Sequence, residues 1–352
     1  MAQALDARRY ELAGEPFPVA EHVGSYLAMG FFSASANGVL AYRSGASATG
    51  SARLVWFDRE GKSQGTVGPP AFYLDMALSP DEKRVAVAQG DETGNRDLWI
   101  IDVARNVPTR FTFDPAQDRS PVWSPDGTRL VFGSDRRSGG IYDIYRKDAG
   151  YSGNEELFLK SGAPLSWSPD GRNLLYVATD PKTKADLWVL PDPAGAAGGS
   201  KPTPYLQTPF NEASGQFSPD GRWIAYASDD AVQGQYQIYV QSFPPGNGKF
   251  QISTGAGGTQ PRWRRDGKEL FYIAADGKLT AVEVKTAPRF EPGVPKPLFN
   301  PQILGGGVYS SFRYSPAADG KRFLCITTYS AANSSPSEPI TVVLNWTAGL
   351  KH

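Results

Sequence analysis

The chain has 352 residues, which is too long for one ordinary compact core unless the fold is a barrel, a solenoid or a ring of repeats. Its 36 Lys and Arg balance its 36 Asp and Glu, so the sequence has no electrostatic footprint for nucleic acid or for an anionic membrane surface. The mean hydropathy is −0.38 and no apolar run reaches about 18 residues, so no membrane insertion is predicted.

The first 25 residues contain two stretches that alternate like strands, 1–11 and 16–23. No apolar segment follows Arg8 and Arg9, so this opening is not an ordinary signal peptide. The pattern favours a chain cut from a longer polypeptide, or an opening strand that completes a sheet formed elsewhere in the sequence.

A hairpin signal recurs along the rest of the chain. In Ser124-Pro125-Asp126-Gly127, Pro presets φ, Asp tolerates the next position, and Gly supplies the left-handed conformation that returns the second strand. The same four letters recur at 168–171 and 218–221, with weaker copies on either side. Aligned on its last residue, the signal is anchored at Gly38, Glu82, Gly127, Gly171, Gly221, Gly267 and Gly320.

The spacing of these anchors predicts the fold. Successive anchors lie 44 to 53 residues apart, which is typical of a propeller blade with four short strands, A to D. No helical period survives a window of about 11 residues. We therefore predict an all-β, single-domain chain over residues 1–352, a seven-bladed β-propeller of four-stranded antiparallel blades.

Strand A of each repeat ends in an apolar residue just before the turn, and these residues are expected to fill the space between blades: Ala34, Leu78, Trp123, Trp167, Phe217, Trp263 and Tyr314. The last repeat offers strand A at 311–315, B at 322–327 and C at 340–345. An N-terminal strand at 16–23, in a closing segment 1–25, is predicted to add strand D, because an unpaired edge would otherwise stay exposed.

These turns resemble the TolB-type, WD40-like propeller repeats of bacteria, in which the Ser-Pro-Asp-Gly turn is followed by a strand such as Asp97-Leu98-Trp99 or Asp143-Ile144-Tyr145. The resemblance covers essentially the whole chain. The segments 6–21 and 338–346 are similar to the C-terminal propeller region of eukaryotic-like bacterial serine/threonine kinases. That similarity implies a sensor or scaffold, on the extracytoplasmic side, attached to a kinase domain in the natural polypeptide.

Catalytic signatures are scarce in the sequence. The kinase motifs Gly-rich loop, His-Arg-Asp and Asp-Phe-Gly are absent, so the chain is not expected to phosphorylate. Two histidines, His22 and His352, leave little for a triad or a His-based metal site. Cys325 lies on an apolar strand, where a buried inert thiol is expected. The oxygen-rich stretch 91–97 fits no standard calcium loop. We predict no catalytic residue, no metal and no cofactor.

Aspartates recur at the predicted B to C connections: Asp91, Asp135, Asp180, Asp229 and Asp276. They could form an acidic rim that attracts a cation or a basic peptide. The favoured interpretation is that each one hydrogen-bonds the backbone of its own turn.

The D to A connections are expected on the same face, near the axis, where loops on a rigid scaffold concentrate binding residues. The candidate ligand-binding residues are Tyr73, Asp75, Asp118, Arg119, Asn211, Glu212, Gln260, Arg262 and Tyr309. Their mixed aromatic and polar character suits a protein, a peptide, a glycan or a small polar ligand. For any single one of these residues, an ordinary solvated loop is the favoured interpretation.

We therefore expect a non-catalytic binding module, a sensor or protein-interaction scaffold of a bacterial signalling protein. One alternative is a propeller enzyme of the lactonase, lyase or glycan-processing type with an axial site. Another is an accessory gate like the propeller of prolyl-oligopeptidase-type peptidases, which would need a hydrolase domain. A divalent ion held on the axis by three or more side chains would favour the enzyme.

Overall fold

The computed structural model describes residues 52–328, except 92–93, 138–141, 194–200, 247 and 304–310, and the short segments 2–6, 11–17, 19–20, 25–26, 29–30, 32–35, 38–43 and 340–344. Their regular structure is antiparallel β-sheet, so the all-β prediction is confirmed. No helix occurs among these residues, and hence none that could span a membrane.

The chain divides into two compact units, called here unit 1 (Met1–Ser51 with Ser330–His352) and unit 2 (Ala52–Tyr329). That residues 1–352 form one domain stays a prediction. Unit 1 begins with six short strands that pair as three hairpins: β1 (Ala2–Asp6) with β2 (Glu11–Phe17), β3 (Ser25–Tyr26) with β4 (Met29–Gly30), and β5 (Phe32–Ala34) with β6 (Val39–Arg43).

Unit 2 contains strands β7 to β30. The first of them are β7 (Ala52–Asp58), β8 (Ser63–Leu78), β9 (Arg84–Gly90), β10 (Arg96–Asp102), β11 (Val107–Arg110), β12 (Asp118–Trp123), β13 (Arg129–Ser134), β14 (Asp143–Asp148) and β15 (Glu156–Leu159). The middle of the unit holds β16 (Ala163–Trp167), β17 (Asn173–Asp180), β18 (Lys184–Pro191), β19 (Thr203–Leu206), β20 (Glu212–Phe217), β21 (Trp223–Val232), β22 (Gln235–Ser242) and β23 (Lys249–Gln251). The last are β24 (Gly258–Trp263), β25 (Glu269–Ala274), β26 (Leu279–Lys285), β27 (Glu291–Pro292), β28 (Lys296–Phe299), β29 (Tyr314–Pro316) and β30 (Arg322–Thr327).

These strands form six four-stranded blades. Strand β8 serves two of them, since residues 63–71 pair with β7 and residues 72–78 pair with β9. Blade one is 72–78 with β9, β10 and β11, and blades two, three and four are β12–β15, β16–β19 and β20–β23. Blade five is β24, β25, β26 and β28, with β27 on the far end of β26. Blade six is β29, β30, β7 and 63–71.

The six blades close into a ring. Each inner strand packs against the inner strand of the next blade, and β29 contacts both β24 and residues of β8. The backbone N–H of Met76 in blade one donates to the carbonyl of Phe312, just before blade six, at 2.9 Å. Blade six closes the ring, because β30 from the end of unit 2 pairs with β7 from its beginning, with Leu324 opposite Trp56. This pairing of β30 with β7 is called the clasp.

The predicted last blade and the predicted blade number are not confirmed. The last strand among the described residues, β31 (Ile340–Leu344), pairs with β6 in a three-stranded sheet of unit 1 and not with a strand of blade six. Residues 16–17 end β2, which pairs with β1, while 18 and 21–23 lie outside the described residues. The hairpin at Gly38 therefore belongs to unit 1, and strands C and D of the last blade come from 52–71.

The Ser-Pro-Asp-Gly turns owe their uniformity to a side-chain network. In the three copies and in the related turn Ser79-Pro80-Asp81-Glu82, the Ser Oγ donates to the Asp Oδ1 at 2.5–2.6 Å and accepts the backbone N–H five residues after the Ser. The anchor residue of every turn has the expected left-handed conformation, with φ between +60° and +82°, including Glu82. Turn chemistry thus sets where each blade reverses, because these bonds are local to the turn.

The residues before the turns fill the gaps between blades, as predicted. Trp123, Phe217, Trp263 and Tyr314 are buried, and Leu78 and Trp167 pack partly buried against clusters of apolar side chains. Ala34, which lies in unit 1, is exposed. Cys325 is a fully buried free thiol whose pKa is raised by that burial, as expected for an inert cysteine.

Candidate functional site

A β-bulge interrupts the inner strands of blades one to five. Ser120, Ser214 and Gln260, each seven residues before its anchor, have φ of +53° to +57°. A bulge leaves backbone groups unpaired within its own blade, and at Ser120 the neighbouring blade supplies a partner. Asp75 accepts the backbone N–H of Ser120 at 3.1 Å, and Gln260 Oε1 accepts that of Arg313 at 2.8 Å.

Next to these bulges, towards the face that carries the Ser-Pro-Asp-Gly turns, lies a pocket of about 450 Å³, the axial pocket. Successive blades contribute to it, because the prolines of four consecutive turns line it: Pro80, Pro125, Pro169 and Pro219. Trp123, Trp167 and Phe312 add aromatic surface, and Ser166, Gln216 and Ser315 add polar groups. Its size lies in the range of small-ligand sites.

Arg262 and Arg265 are the charged residues of the axial pocket, whose described lining contains no Asp, Glu, His or Cys. The guanidinium carbon of Arg262 lies 3.8 Å from the centre of the Phe312 ring, and its Nη1 donates to Gln216 Oε1 at 2.9 Å. Burial lowers the pKa of Arg262 to about 10, so the side chain still carries its charge at neutral pH. The pocket is therefore electropositive.

Gln216 ties the pocket wall together across three blades. Its Nε2 donates to the carbonyl of Leu165 in blade three at 2.8 Å, while its own carbonyl accepts the indole N–H of Trp263 in blade five at 3.2 Å. Trp123 makes the same bond to the carbonyl of Ala77 at 2.9 Å. These contacts hold the polar wall rigid, because each donor or acceptor is already fixed by a neighbour.

Among the predicted binding residues that the structure describes, Arg262 alone lines the axial pocket. Asp75, Arg119 and Gln260 belong to the bonds between blades at the bulges, where Arg119 donates to Ser311 Oγ at 3.1 Å and stacks on the Tyr142 ring at 5.0 Å. They position the inner strands.

Asp118 and Glu212 occupy the same position in two repeats, nine residues before the anchor, and both are buried. Asp118 accepts hydrogen bonds from Arg136, the shorter at 3.1 Å, and burial raises its pKa to about 6. Glu212 accepts the hydroxyl of Thr208 at 2.6 Å, and burial raises its pKa to about 7. Both carboxyls lie inside blades and do not line the axial pocket.

The remaining predicted residues are not brought together either. Tyr73 is a buried core residue whose hydroxyl donates to the carbonyl of Pro69 at 2.6 Å. Asn211 donates its backbone N–H to Asp229 at 2.7 Å, which fixes the start of blade four. Tyr309 lies outside the described residues.

The recurrent aspartates cap backbone groups, and Asp91, Asp180, Asp229 and Asp276 do so within their own turns, as the favoured interpretation expects. Asp135 departs from it, because its partner Gln117 lies in the connection before the first strand of its blade. The Oδ1 atoms of all five accept backbone N–H groups at 2.7–3.1 Å: Asp91 from Asn95, Asp135 from Gln117, Asp180 from Lys182, Asp229 from Asn211 and Asp276 from Lys278. Within the described residues, no three His, Cys, Asp or Glu side chains are grouped as metal ligands, and Glu92 and Thr93 of the stretch 91–97 lie outside them.

The residues of the axial pocket have a sequence signal in the strand and turn positions of the repeats, and not in the loops between blades. Five residues before the anchor, the repeats of unit 2 have Ala77, Val122, Ser166, Gln216, Arg262 and Ser315. Two residues before it they have Pro80, Pro125, Pro169, Pro219, Arg265 and Ala318. One repeat thus carries an arginine at both positions where the other repeats are uncharged, and both positions face the pocket.

Comparison with known proteins agrees with this architecture. Residues 58–185 match the family model described as the TolB beta propeller domain. A structure assigned to TolB of Agrobacterium tumefaciens superposes with a TM-score of 0.63 at 20% sequence identity, covering 79% of this chain and 98% of that one. Unit 2 has the TolB-type propeller fold.

Curated relatives of this TolB-type propeller include two peptidases. Dipeptidyl-peptidase 5 of Porphyromonas gingivalis is 27% identical over 257 residues, which cover 57% of this chain and 37% of that protein. The uncharacterized peptidase YuxL of Bacillus subtilis is 24% identical over 208 residues, 47% of this chain and 31% of that protein. The matches thus span about a third of the length of either relative.

Proposed function

We propose that unit 2 is a non-catalytic binding module whose axial pocket receives a peptide segment of a partner protein. The observation that carries this proposal is the pocket itself. Residues from all six blades line it, its walls are fixed by bonds between blades, and its described lining offers no carboxylate, imidazole or thiol for acid–base or nucleophilic chemistry.

The lining suits a peptide in extended conformation. Trp123 and Trp167 provide rigid apolar surface that can be buried at low entropic cost, while Ser166, Gln216 and Ser315 provide hydrogen-bonding groups. Because the ring is closed through the pairing of β30 with β7, the walls of the pocket are preformed, which reduces the ordering cost of binding.

Binding of pooled random hexapeptides to the full chain tests this proposal. Isothermal titration reports binding, and the loss of binding in a variant of the axial pocket assigns it to that pocket. The variant Ser315→Trp, which places a large ring in the pocket at a half-buried position, should abolish binding. Ser152→Trp, on an exposed loop, is the matched control and should leave binding unchanged. Hexapeptides that do not bind, or that bind Ser315→Trp as tightly, would overturn the proposal.

A second candidate is favoured by the two peptidase relatives. In this reading the propeller gates access to a hydrolytic site that another domain supplies, and the axial pocket binds the peptide to be cleaved. The full chain is then expected to bind peptides but not to release p-nitroaniline from dipeptidyl p-nitroanilides. Turnover by the chain alone, retained in Ser315→Trp, would show a catalytic site elsewhere in the chain and exclude a pure binding role.

We further propose that the module is the sensor or scaffold part of a bacterial signalling protein on the extracytoplasmic side, joined to a serine/threonine kinase domain in the natural polypeptide. Support comes from the similarity of the segments 6–21 and 338–346 to kinase-attached propellers. The reading frame of the natural gene tests it. A kinase domain with His-Arg-Asp and Asp-Phe-Gly motifs upstream of Met1 supports it, and a frame without one overturns it.

A further inference from the structure

The axial pocket contains two arginines without a described counter-ion. Two other arginines inside unit 2 are neutralised by carboxylates: Arg136 lies 3.1 Å from Asp118 and 2.8 Å from Glu155, and Arg59 lies 2.9 Å from Glu269. Within the part of the chain that the structure describes, Arg262 and Arg265 have no carboxylate within ion-pair distance.

Arg262 is also incompletely bonded. Its Nη1 has the neutral partner Gln216, its ring-facing side lies on Phe312, and its Nε is buried with no hydrogen-bond partner among the described residues. A guanidinium that is taken out of water without an anion is unfavourable, because the desolvation of the charge is not offset. An anion in the pocket would offset it.

The second arginine, Arg265, adds a positive charge at a position where other repeats place an uncharged residue in the pocket lining. Arg265 takes the place of the turn proline that lines the pocket in four other repeats, and its side chain is exposed there. Both cations come from blade five, three residues apart, so the positive charge is confined to one side. The opposite wall carries Pro80, Trp123 and Pro125.

We propose that the axial pocket binds the carboxylate of a peptide ligand, with Arg262 and Arg265 as its counter-ions. This inference rests on the proposed peptide-binding function and names the group that the site recognises. The arginines hold the carboxylate at one side, and the residue that bears it packs on the proline and tryptophan surface. The carboxylate can come from a chain terminus or from an Asp or Glu side chain.

Four probes distinguish these sources on the full chain by isothermal titration. They are pooled hexapeptides with a free C-terminus and no Asp or Glu, the same pool amidated, the amidated pool with Glu at its last position, and inorganic phosphate. Terminal recognition predicts that only the first pool binds tightly, and side-chain recognition predicts that the third binds as well as or better than the first. In either case the neutral amidated pool should bind at least about 10-fold more weakly.

Variants separate charge from fold. Arg265→Gln, at an exposed position, should weaken carboxylate binding about 10-fold and leave the unfolding midpoint unchanged. Arg262→Gln should weaken it further, and Arg262→Lys should recover part of the loss. Arg289→Gln, a surface arginine outside the pocket, is the matched control. Added salt should weaken the binding of the two pools that carry a carboxylate and leave the binding of the neutral amidated pool unchanged.

The outcomes for the inference and for the proposed function are distinct. If free and amidated pools bind with equal affinity and Arg265→Gln has no effect, the carboxylate inference is overturned while peptide binding stands. If no pool binds, both are overturned. If phosphate binds tightly and competes with every pool, the site recognises anions in general, and the assignment to a peptide carboxylate is overturned.

Discussion

The carboxylate of Asp75 in blade one accepts the backbone N–H of Ser120 in blade two at 3.1 Å. Asp75 is buried, and the same oxygen lies 3.9 Å from the guanidinium of Arg119. Gln260 makes the equivalent bond to the backbone of Arg313, between blades five and six. In both cases a side chain seven residues before one anchor accepts the backbone N–H of the residue seven positions before the next anchor.

Replacing Asp75 tests that relationship. Asp75→Ala should lower the free energy of unfolding by about 3–5 kcal/mol, because it removes the buried acceptor of the Ser120 N–H and the carboxylate paired with Arg119. Asp75→Asn keeps an acceptor for Ser120 and should cost less, about 1–2 kcal/mol. Chemical denaturation of the full chain measures both. Equal losses for the two variants would mean that charge, and not the bond to Ser120, holds this contact.

The blades could be predicted from the sequence because their signal is local. Each Ser-Pro-Asp-Gly turn contains its own hydrogen-bonding network, so the turn forms wherever the letters occur, and the period follows from the letters. The Gly38 hairpin shows that the turn signal predicts a hairpin but not the sheet to which the hairpin belongs. It has the same left-handed anchor, at φ +82°, yet its strand β6 pairs with β31 in unit 1.

Ring closure and the binding site depend on contacts that no local pattern encodes. The strand β7, which helps to complete the last blade, begins at Ala52, some 270 residues before its partner β30. Neither strand contains a local sequence pattern that identifies the other as its partner. The site prediction assumed the face of the B to C connections. The loop pattern predicts Arg262. It does not predict Arg265 or the turn prolines, because a turn motif does not reveal that the same residues also line a pocket.

The turn network should be measurable one residue at a time. Ser124 Oγ donates to Asp126 at 2.5 Å and accepts the backbone N–H of Arg129 at 3.0 Å, and the bond from Ser124 is the largest cause of the lowered pKa of Asp126. Ser124→Ala should raise that pKa and lower the free energy of unfolding by about 1–3 kcal/mol. NMR titration of Asp126 and denaturation measure the two effects.

The sign of the pH effect follows from the lowered pKa. Because Asp126 has a lower pKa in the folded state than in the unfolded chain, its contribution is present at neutral pH and is lost as the pH falls through the folded-state value. Ser124→Ala should therefore cost less at low pH than at pH 7. Ser152→Ala, on an exposed loop, is the control and should change stability by less than about 0.5 kcal/mol. A pH-independent loss would contradict the network.

The clasp in blade six makes a prediction about packing. Leu324 is fully buried opposite Trp56, so Leu324→Ala should lower the free energy of unfolding by about 2–5 kcal/mol. Val342 of β31 is 56% exposed, and Val342→Ala should cost less than about 0.5 kcal/mol. Denaturant unfolding of both variants distinguishes this clasp from one built with residues 340–345. A larger loss for Val342→Ala than for Leu324→Ala would favour the latter.

Glu212 should make the stability of the chain depend on pH near neutrality. Burial raises its folded-state pKa to about 7 from 4.5, so between these values the folded protein holds a proton that the unfolded chain has lost. Stability therefore falls as the pH rises from about 4.5 to 7 and then levels off. Glu212→Gln keeps an acceptor for Thr208 and cannot titrate. Relative to the parent chain, it should gain roughly 2–3 kcal/mol between pH 5 and pH 8.

Unfolding free energies at pH 5, 6, 7 and 8 measure that gain. Glu60→Gln, at an exposed position on the turn after β7, removes a carboxylate of the same type and should track the parent chain at every pH. If Glu212→Gln also runs parallel to the parent chain, the Glu212 carboxyl is ionised in the folded state. A nearby cation would then have to offset the unfavourable burial of that charge. Lys249 is such a cation, since it lowers the pKa of Glu212, whereas Asp186 raises it. A flattened profile for Glu212→Gln alone confirms a protonated carboxyl inside blade four.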